Sequence, residues 1–99
     1  MTNFNATLEH DARLIILREL AAQPDGRLNE TILAQVLDAF GHNRSRAWLR
    51  QQLAYLADLG ALKKAEIGSV VIATITALGL DHVERRTVLE GVQRPRPGA

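Results

Sequence analysis

The segment that most constrains the fold of this chain is residues 43–61, in which apolar residues recur at the spacing of an α-helix. Wound at 3.6 residues per turn, the segment places its leucines on one side: Leu49, Leu53, Leu56 and Leu59. The opposite side carries polar and small residues: Arg46, Ala47, Arg50, Gln51, Ala54 and Asp58. We therefore predict a helix over residues 44–59, capped by Asn43 or Ser45 and ended by Gly60, with its leucines facing a core and its polar side facing solvent.

Two further helices are predicted before this segment. Apolar residues at helical spacing predict a helix over residues 8–22, with its cap at Asn5 or Thr7. A second helix is predicted over residues 30–40, capped by Asn29. A short loop then joins the second helix to the third, as in a helix-turn-helix.

After the third helix, the period of the apolar pattern changes to that of β-strands. Strands are predicted over residues 62–67 and 70–75, joined by a tight turn at Gly68-Ser69. Thr76 is expected to cap a fourth helix over residues 77–86.

Alternation within this hairpin assigns its residues to two faces. One face carries Leu62, Lys64, Glu66, Val71, Ala73 and Ile75; the other carries Lys63, Ala65, Ile67, Val70, Ile72 and Thr74. Because both faces are partly apolar, the sequence leaves open which of them meets the helices. The apolar surplus indicates a second contact, with a partner chain or with the C-terminal tail.

Composition excludes several classes of protein. Ninety-nine residues make one domain, no apolar run approaches the ~20 residues that a membrane helix needs, and no cysteine is present to form a disulfide or a thiolate site. The chain has no Gly-rich phosphate loop, metal-ligand spacing or nucleophile–base motif, so we expect no catalysis, cofactor or metal. The N-terminus lacks the basic region followed by an apolar region that a signal peptide has, so a cytoplasmic location is expected.

Positive charge is concentrated on the third helix and the strand after it. Residues 44–64 contain five of the twelve Lys and Arg residues but one of the eleven Asp and Glu residues, Asp58. A basic face of this kind is typical of nucleic-acid binding. The candidate DNA-binding residues are Arg44, Ser45, Arg46, Ala47, Arg50, Gln51, Lys63 and Lys64.

Each candidate is assigned a role in a complex with DNA. Ser45 and the first free amides of the helix would meet a phosphate. Arg46 and Gln51 would reach base edges, and Ala47 is small enough to allow close approach. The remaining basic residues would hold the DNA backbone: Arg44, Arg50, Lys63 and Lys64.

Structural roles remain open for three of the residues on this helix. Arg46 and Arg50 could instead belong to a solvated face, or pair with an acid near or on the second helix: Asp25, Glu30 or Asp38. Trp48 could stack on a base, but its place beside the leucine stripe favours packing.

The order helix, helix, helix, hairpin, helix resembles a winged-helix domain, most closely over residues 27–76. The run Ser45-x-x-Trp48-Leu49-x-x-Gln52-Leu53-x-x-Leu56-x-x-Leu59-Gly60-Ala61-Leu62 resembles the recognition helix and first wing strand of ArsR- and MarR-like bacterial regulators. Over its full length, the chain is similar to small winged-helix proteins of Mu-like phages and prophages. That similarity includes the Trp-Leu-Arg-x-Gln-Leu core and the tail motif Gly91-Val92-x-Arg94-Pro95.

The resemblance implies an α+β, mostly α, winged helix-turn-helix with a three-helix core, a two-stranded β wing, a C-terminal helix and an extended tail. The expected divisions are a loose N-terminus over 1–6, the winged-helix domain over 7–86, and an extended, partly mobile tail over 87–99. The implied function is that of a double-stranded DNA-binding transcriptional regulator from a phage or prophage, with the helix 44–59 in the major groove.

Two departures from the pattern bear on function. The chain lacks the cysteines through which ArsR sensors bind metal, and its wing tip, residues 67–70, has no basic residue. The bare wing tip and the near-neutral net charge of +1 favour an alternative function. The alternative is a winged helix that contacts another protein in a phage assembly or DNA-packaging complex. The apolar surplus also predicts a homodimer.

Overall fold

The computed structural model describes residues 3–97, which form an α+β fold of four helices and a three-stranded antiparallel sheet. The elements in chain order are α1 (Phe4–Ala21), β1 (Arg27–Asn29), α2 (Glu30–Ala39), α3 (Arg46–Asp58), β2 (Leu62–Ile67), β3 (Val70–Ile75) and α4 (Ala77–Val83). The predicted α+β class is confirmed, and the number of strands is corrected from two to three.

The third helix follows the predicted pattern, with slightly shorter ends. Of the two proposed caps, Ser45 is the one used, because its Oγ accepts a hydrogen bond from the Trp48 N–H (3.1 Å). The predicted leucine stripe is buried at Leu49, Leu53 and Leu56. Gly60 has a φ of +82°, a left-handed conformation that ends the helix and turns the chain into β2.

The first helix begins earlier than predicted. It starts at Phe4, and Asn3 caps it by accepting a hydrogen bond from the Asn5 N–H (2.8 Å), so the predicted caps at Asn5 and Thr7 are wrong. Phe4 is 72% exposed, so the first turn adds nothing to the core. An apolar pattern cannot reveal a turn of this kind, because no residue in it needs to be buried.

The strand β1 was not predicted. Its three residues pair with β3 in the register Arg27↔Thr74, Leu28↔Ala73 and Asn29↔Ile72. A three-residue strand has too few positions to show an alternating pattern, and it runs directly into the cap of α2. The resulting sheet order is β1-β3-β2, with the hairpin strands at their predicted bounds.

The sheet packs on the helices through one of the two predicted faces. Leu62, Val71 and Ala73 are buried, so the sheet face that they share is the one that meets the helices. Lys64 and Glu66 lie on the same face and stay exposed. The core also takes in apolar residues from the first three helices: Ala12, Leu14, Ile15, Ile16, Leu17, Leu20, Leu33, Leu37, Leu49, Leu53 and Leu56. The other sheet face points away from the core, and Ile67 on it is 62% exposed.

The fourth helix ends at Val83, three residues before its predicted end at Arg86. Thr76 caps it as predicted, since its Oγ1 accepts a hydrogen bond from the Gly79 N–H (3.3 Å). A Cβ atom at position 79 would overlap the carbonyl oxygen of Ala61. Glycine is therefore required at position 79 by the close packing of α4, although it lowers helix propensity.

The segment after α4 folds back over α1 and α3. Leu89 and Val92 are buried, the Tyr55 hydroxyl donates to the Glu90 carbonyl (2.8 Å), and Arg13 Nη1 donates to the Gly91 carbonyl (2.8 Å). The tail over residues 87–99 is expected to be extended and partly mobile; in the structure, Leu89 and Val92 of this segment are part of the core. Residues 98 and 99, on which that prediction also bears, lie outside the described residues, as do residues 1 and 2 of the predicted loose N-terminus.

A buried polar network joins α1 to α3 beneath this segment. Arg13 Nε donates to Gln52 Oε1 (2.8 Å), and Gln52 Nε2 donates to Glu9 Oε2 (3.1 Å). The Arg13 guanidinium also stacks on the Tyr55 ring, 3.7 Å from its centroid. Gln52 and Tyr55 therefore have structural roles in α3. Within residues 3–97, none of the helices is both long enough and apolar enough to cross a membrane.

Candidate functional site

All eight candidate DNA-binding residues lie at the surface. Arg44 and Ser45 immediately precede α3, and the helix itself contributes Arg46, Ala47, Arg50 and Gln51. Because these residues fall within its first two turns, they share the N-terminal half of the helix. The positive end of the helix dipole lies on the same side, which favours an anionic ligand there.

The two lysines of β2 lie on opposite faces of the sheet. Lys64 is on the helix-facing side, where it lines a cleft of about 70 Å³ together with Arg50 and Leu53. Lys63 pairs with Thr74 in the register and lies on the outer face. Both lysines were expected to hold the DNA backbone together with Arg44 and Arg50, but of the two lysines the structure brings only Lys64 close to α3.

One buried carboxylate holds two of the candidate arginines. Glu30, the first residue of α2, is 0% exposed. Its two oxygens accept hydrogen bonds from Arg50, Nε to Oε1 and Nη2 to Oε2, each 2.8 Å long. Arg46 Nη1 lies 3.4 Å from Glu30 Oε1. Both arginine side chains stay almost half exposed, at 45% for Arg46 and 44% for Arg50, so they remain part of the surface.

The same carboxylate fixes the hairpin against α3. The Val71 N–H donates to Glu30 Oε2 (2.5 Å), and Arg50 Nη2 donates a further hydrogen bond to the carbonyl of Ser69 at the hairpin tip (3.0 Å). Glu30 thus connects α2, α3 and β3 through side-chain and backbone hydrogen bonds. Arg50 is a positioning residue that holds the tip of the hairpin beside the helix.

Glu30 stays ionised because its partners outweigh its burial. The hydrogen bonds from Arg50 lower the pKa of Glu30 from 4.5 to about 2, although burial acts in the opposite direction. The Val71 N–H and the charges of Arg50 and Arg46 lower this pKa further. In turn, the hydrogen bond to Glu30 raises the pKa of Arg50.

This pKa predicts a pH dependence of stability. The folded-state pKa of about 2 lies below the ordinary value of 4.5, so the ionised carboxylate stabilises the fold above about pH 4.5 and loses that effect as the pH falls towards 2. We expect wild type to be more stable than Glu30→Gln near neutral pH, and the difference to shrink in acid. Denaturant unfolding of both proteins between about pH 6 and pH 2 measures this difference. A difference that stays constant over this range would contradict it.

Glu30 was one of three acids expected to be able to pair with the arginines, and the sequence did not distinguish it from the other two. Asp25 lies 3.6 Å from Arg27 instead, Oδ2 to Nε. The sequence signal that could have identified Glu30 was its position. It directly follows the cap, Asn29, and therefore lies in the first turn of α2. Its contact with Val71 could not be foreseen, because it depends on how the hairpin folds back.

Trp48 is packed, as its place beside the leucine stripe indicated. It is half-buried against the core and stacks on His42, with ring centroids 6.2 Å apart. His42 is itself held by Asp11, with 2.8 Å between Nε2 and Oδ2. The guanidinium of Arg44 lies 5.1 Å from the Trp48 ring centroid. This stacking supports Arg44 at the edge of α3 and leaves its charge at the surface.

Fold and surface together define a small α+β protein whose third helix presents a basic face beside a β-hairpin. No protein-family model matches the chain. The chain is 40% identical over 95 residues to the uncharacterized protein gp26 of Escherichia phage Mu, an alignment that covers 96% of this chain and 98% of the phage protein. The chain therefore belongs to the family of this Mu protein, and its relationship is to Mu-like phages.

Proposed function

We propose that this chain is a winged-helix protein that binds duplex DNA and acts as a transcriptional regulator in a Mu-like phage or prophage. The observation that carries the proposal is the exposed N-terminal half of α3, which combines basic residues with small ones. Within residues 3–97, two carboxylates act on this face: the buried Glu30, which holds Arg46 and Arg50, and Glu66, which lines the cleft beside Arg50 and Lys64. Four basic residues stand against them: Arg44, Arg46, Arg50 and Lys64. The face therefore keeps a positive charge.

The arrangement of elements supports the winged-helix assignment. The loop 40–45 joins α2 to α3, and Gly60 leads from α3 into the hairpin β2–β3. The hydrogen bond from Arg50 to Ser69 brings the hairpin tip beside α3. A duplex that received α3 in its major groove would therefore lie next to the hairpin.

The observed contacts refine the roles of the candidate residues. Arg46 and Gln51 are proposed to reach base edges, with Ala47 allowing close approach and Ser45 meeting a phosphate. Arg44, Arg46 and Lys64 are proposed to supply the main positive charge towards DNA. Arg50 acts mainly by holding the hairpin, because its guanidinium is engaged by Glu30 and Ser69. Lys63 is left out because it lies on the outer sheet face.

The proposal predicts a salt-dependent affinity for random duplex DNA. Neutralising about two phosphates, through Arg44 and Lys64, gives a slope of log affinity against log salt of about −2. Lys64→Gln should weaken binding to every sequence and flatten this slope by about one unit. Fluorescence anisotropy with a labelled duplex at several salt concentrations measures both quantities.

Lys63→Gln is the matched control for this experiment. It removes the same charge from the neighbouring residue, but from the opposite face of the sheet. We expect it to leave the slope nearly unchanged. Absence of binding by wild type at low salt would overturn the proposal, and so would equal effects of the two lysine variants.

A second candidate function is protein contact within a phage assembly or DNA-packaging complex. The outer sheet face favours it, because Ala65 and Ile67 are exposed there, with Val70 and Ile72 half-buried beside them. Apolar surface of this kind is typical of protein interfaces. The predicted homodimer would use the same kind of surface and stays a prediction. Failure of the DNA titration would leave protein contact as the favoured function.

A further inference from the structure

The C-terminal end of α4 and the chain's tail line an open surface cavity that the proposed DNA-binding face does not include. The cavity has a volume of about 120 Å³ and is lined by Arg85, Thr87, Val88, Arg94 and Pro95. Two of these residues carry guanidinium groups and one carries a hydroxyl group. Each of these groups can donate hydrogen bonds to an oxyanion.

The backbone conformation at Arg85 is unusual for an arginine. The Arg85 N–H donates to the His82 carbonyl (3.1 Å) and the Arg86 N–H donates to the Asp81 carbonyl (2.8 Å), which together form a Schellman motif at the end of α4. The residue after the cap in this motif is left-handed, and Arg85 has a φ of +65°. Glycine is usual at such a position because it lacks a Cβ atom. An arginine at this position has a backbone cost that glycine would avoid, which motivates a role for its side chain.

A separate set of hydrogen bonds fixes Gln93, the residue before Arg94. The Gln93 N–H donates to the His10 carbonyl of α1 (3.1 Å), and the Gln93 carbonyl accepts a hydrogen bond from His82 Nε2 (2.9 Å). The ring of His82 is fixed as well, because its Nδ1 accepts a hydrogen bond from the Leu89 N–H (3.1 Å). The residue before Arg94 is therefore tied to both α1 and α4.

Two acids at the C-terminal end of α4 are paired with a residue that does not line the cavity. Arg86 binds both of them, with its Nε 3.0 Å from Asp81 Oδ1 and its Nη2 2.8 Å from Glu84 Oε1. Within residues 3–97, neither Arg85 nor Arg94 has a carboxylate at ion-pairing distance. Two positive charges at one small cavity favour an anion there.

We propose that this cavity binds an oxyanion of the phosphate class, with Arg85 and Arg94 as its charged ligands and Thr87 as a hydroxyl donor. The ligand could come from two sources, a free phosphate group or a phosphate of the DNA backbone. Both offer the same tetrahedral oxygens to the two guanidiniums. The site is independent of α3, so it stands whether or not the proposed DNA-binding face is correct.

The test is a titration of the full chain with inorganic phosphate, followed by NMR of backbone amides and arginine Nε–H groups. We expect saturable shifts at Arg85, Thr87 and Arg94 that sodium chloride at equal ionic strength does not reproduce. Arg85→Gly should weaken phosphate binding about tenfold or more, which corresponds to the loss of one charge-assisted hydrogen bond. This variant should fold, because glycine suits the left-handed position better than arginine does.

Arg96→Gln is the matched control, since it removes the same charge from the same tail but from a residue that does not line the cavity. Its phosphate affinity should stay within about twofold of wild type. The proposal is overturned if chloride produces the same shifts, if Arg85→Gly binds phosphate as wild type does, or if Arg96→Gln loses as much affinity as Arg94→Gln.

A second arm of the experiment identifies the source of the phosphate. If the cavity takes a DNA phosphate, Arg94→Gln should lower the affinity for duplex DNA and Arg96→Gln should not. If it takes a free phosphate, Arg94→Gln should lose phosphate binding and keep its DNA affinity. Lys64→Gln should leave the phosphate titration unchanged, which separates this site from the DNA-binding face.

Discussion

Replacing Glu30 with alanine is expected to lower the free energy of unfolding by about 3 kcal/mol. The substitution removes the acceptor of two hydrogen bonds from Arg50 and leaves the Val71 N–H without its partner. Breaking a buried ion pair costs about 3–5 kcal/mol, and the lower value applies here because Arg46 and Arg50 are half exposed and can be hydrated. Urea-induced unfolding measures the change.

Asp38→Ala is the control for this prediction. Asp38 is an exposed acid on the same helix and takes part in no ion pair within residues 3–97, so its loss should change the free energy by about 0.5 kcal/mol or less. A loss of under about 1 kcal/mol for Glu30→Ala would show that the cluster contributes little to stability.

Truncation of Leu53 to alanine is expected to lower the free energy of unfolding by about 2–5 kcal/mol. Leu53 lies at the middle of α3 and is 0% exposed. Its truncation removes apolar contacts from the core and enlarges the cleft that it lines with Arg50 and Lys64. Thermal or urea unfolding of the variant measures the loss.

Gln51→Ala tests the orientation of the same helix. Gln51 is exposed, so its truncation should change the free energy of unfolding by about 0.5 kcal/mol or less. Two results would mean that α3 faces the core with a different side. One is a loss of unfolding free energy below about 0.5 kcal/mol for Leu53→Ala, and the other is a greater loss for Gln51→Ala than for Leu53→Ala.

The elements that could be predicted are those that bury a regular apolar pattern. The leucines of α3 determine which side of that helix faces the core. The change of period and the Gly68-Ser69 turn give the strand bounds 62–67 and 70–75, which the structure confirms, but the alternation left open which face of the hairpin meets the helices. The first turn of α1 buries little, and β1 is three residues long, so neither leaves a periodic signal. The packing of the tail depends on Leu89 and Val92, two residues in a segment without regular structure.

The candidate site could be predicted as a set of exposed residues, but its internal contacts could not. Alternation along β2 already separates Lys63 from Lys64, so their opposite faces were readable from the sequence. The partner of Arg50 could not be identified from the sequence. Asp25, Glu30 and Asp38 are equivalent acids there, and only the packing of α2 on α3 selects one of them. The hydrogen bond to the Ser69 carbonyl involves the backbone, which no residue pattern reports.

The return of the tail over α1 has a consequence for how fast this chain folds. Arg13 and Gly91, joined by a hydrogen bond, are separated by 78 positions in the sequence. Contacts between such distant positions close long loops and slow the folding of small domains. We therefore expect the tail to pack on α1 late in folding, after the helices and the β2–β3 hairpin have formed.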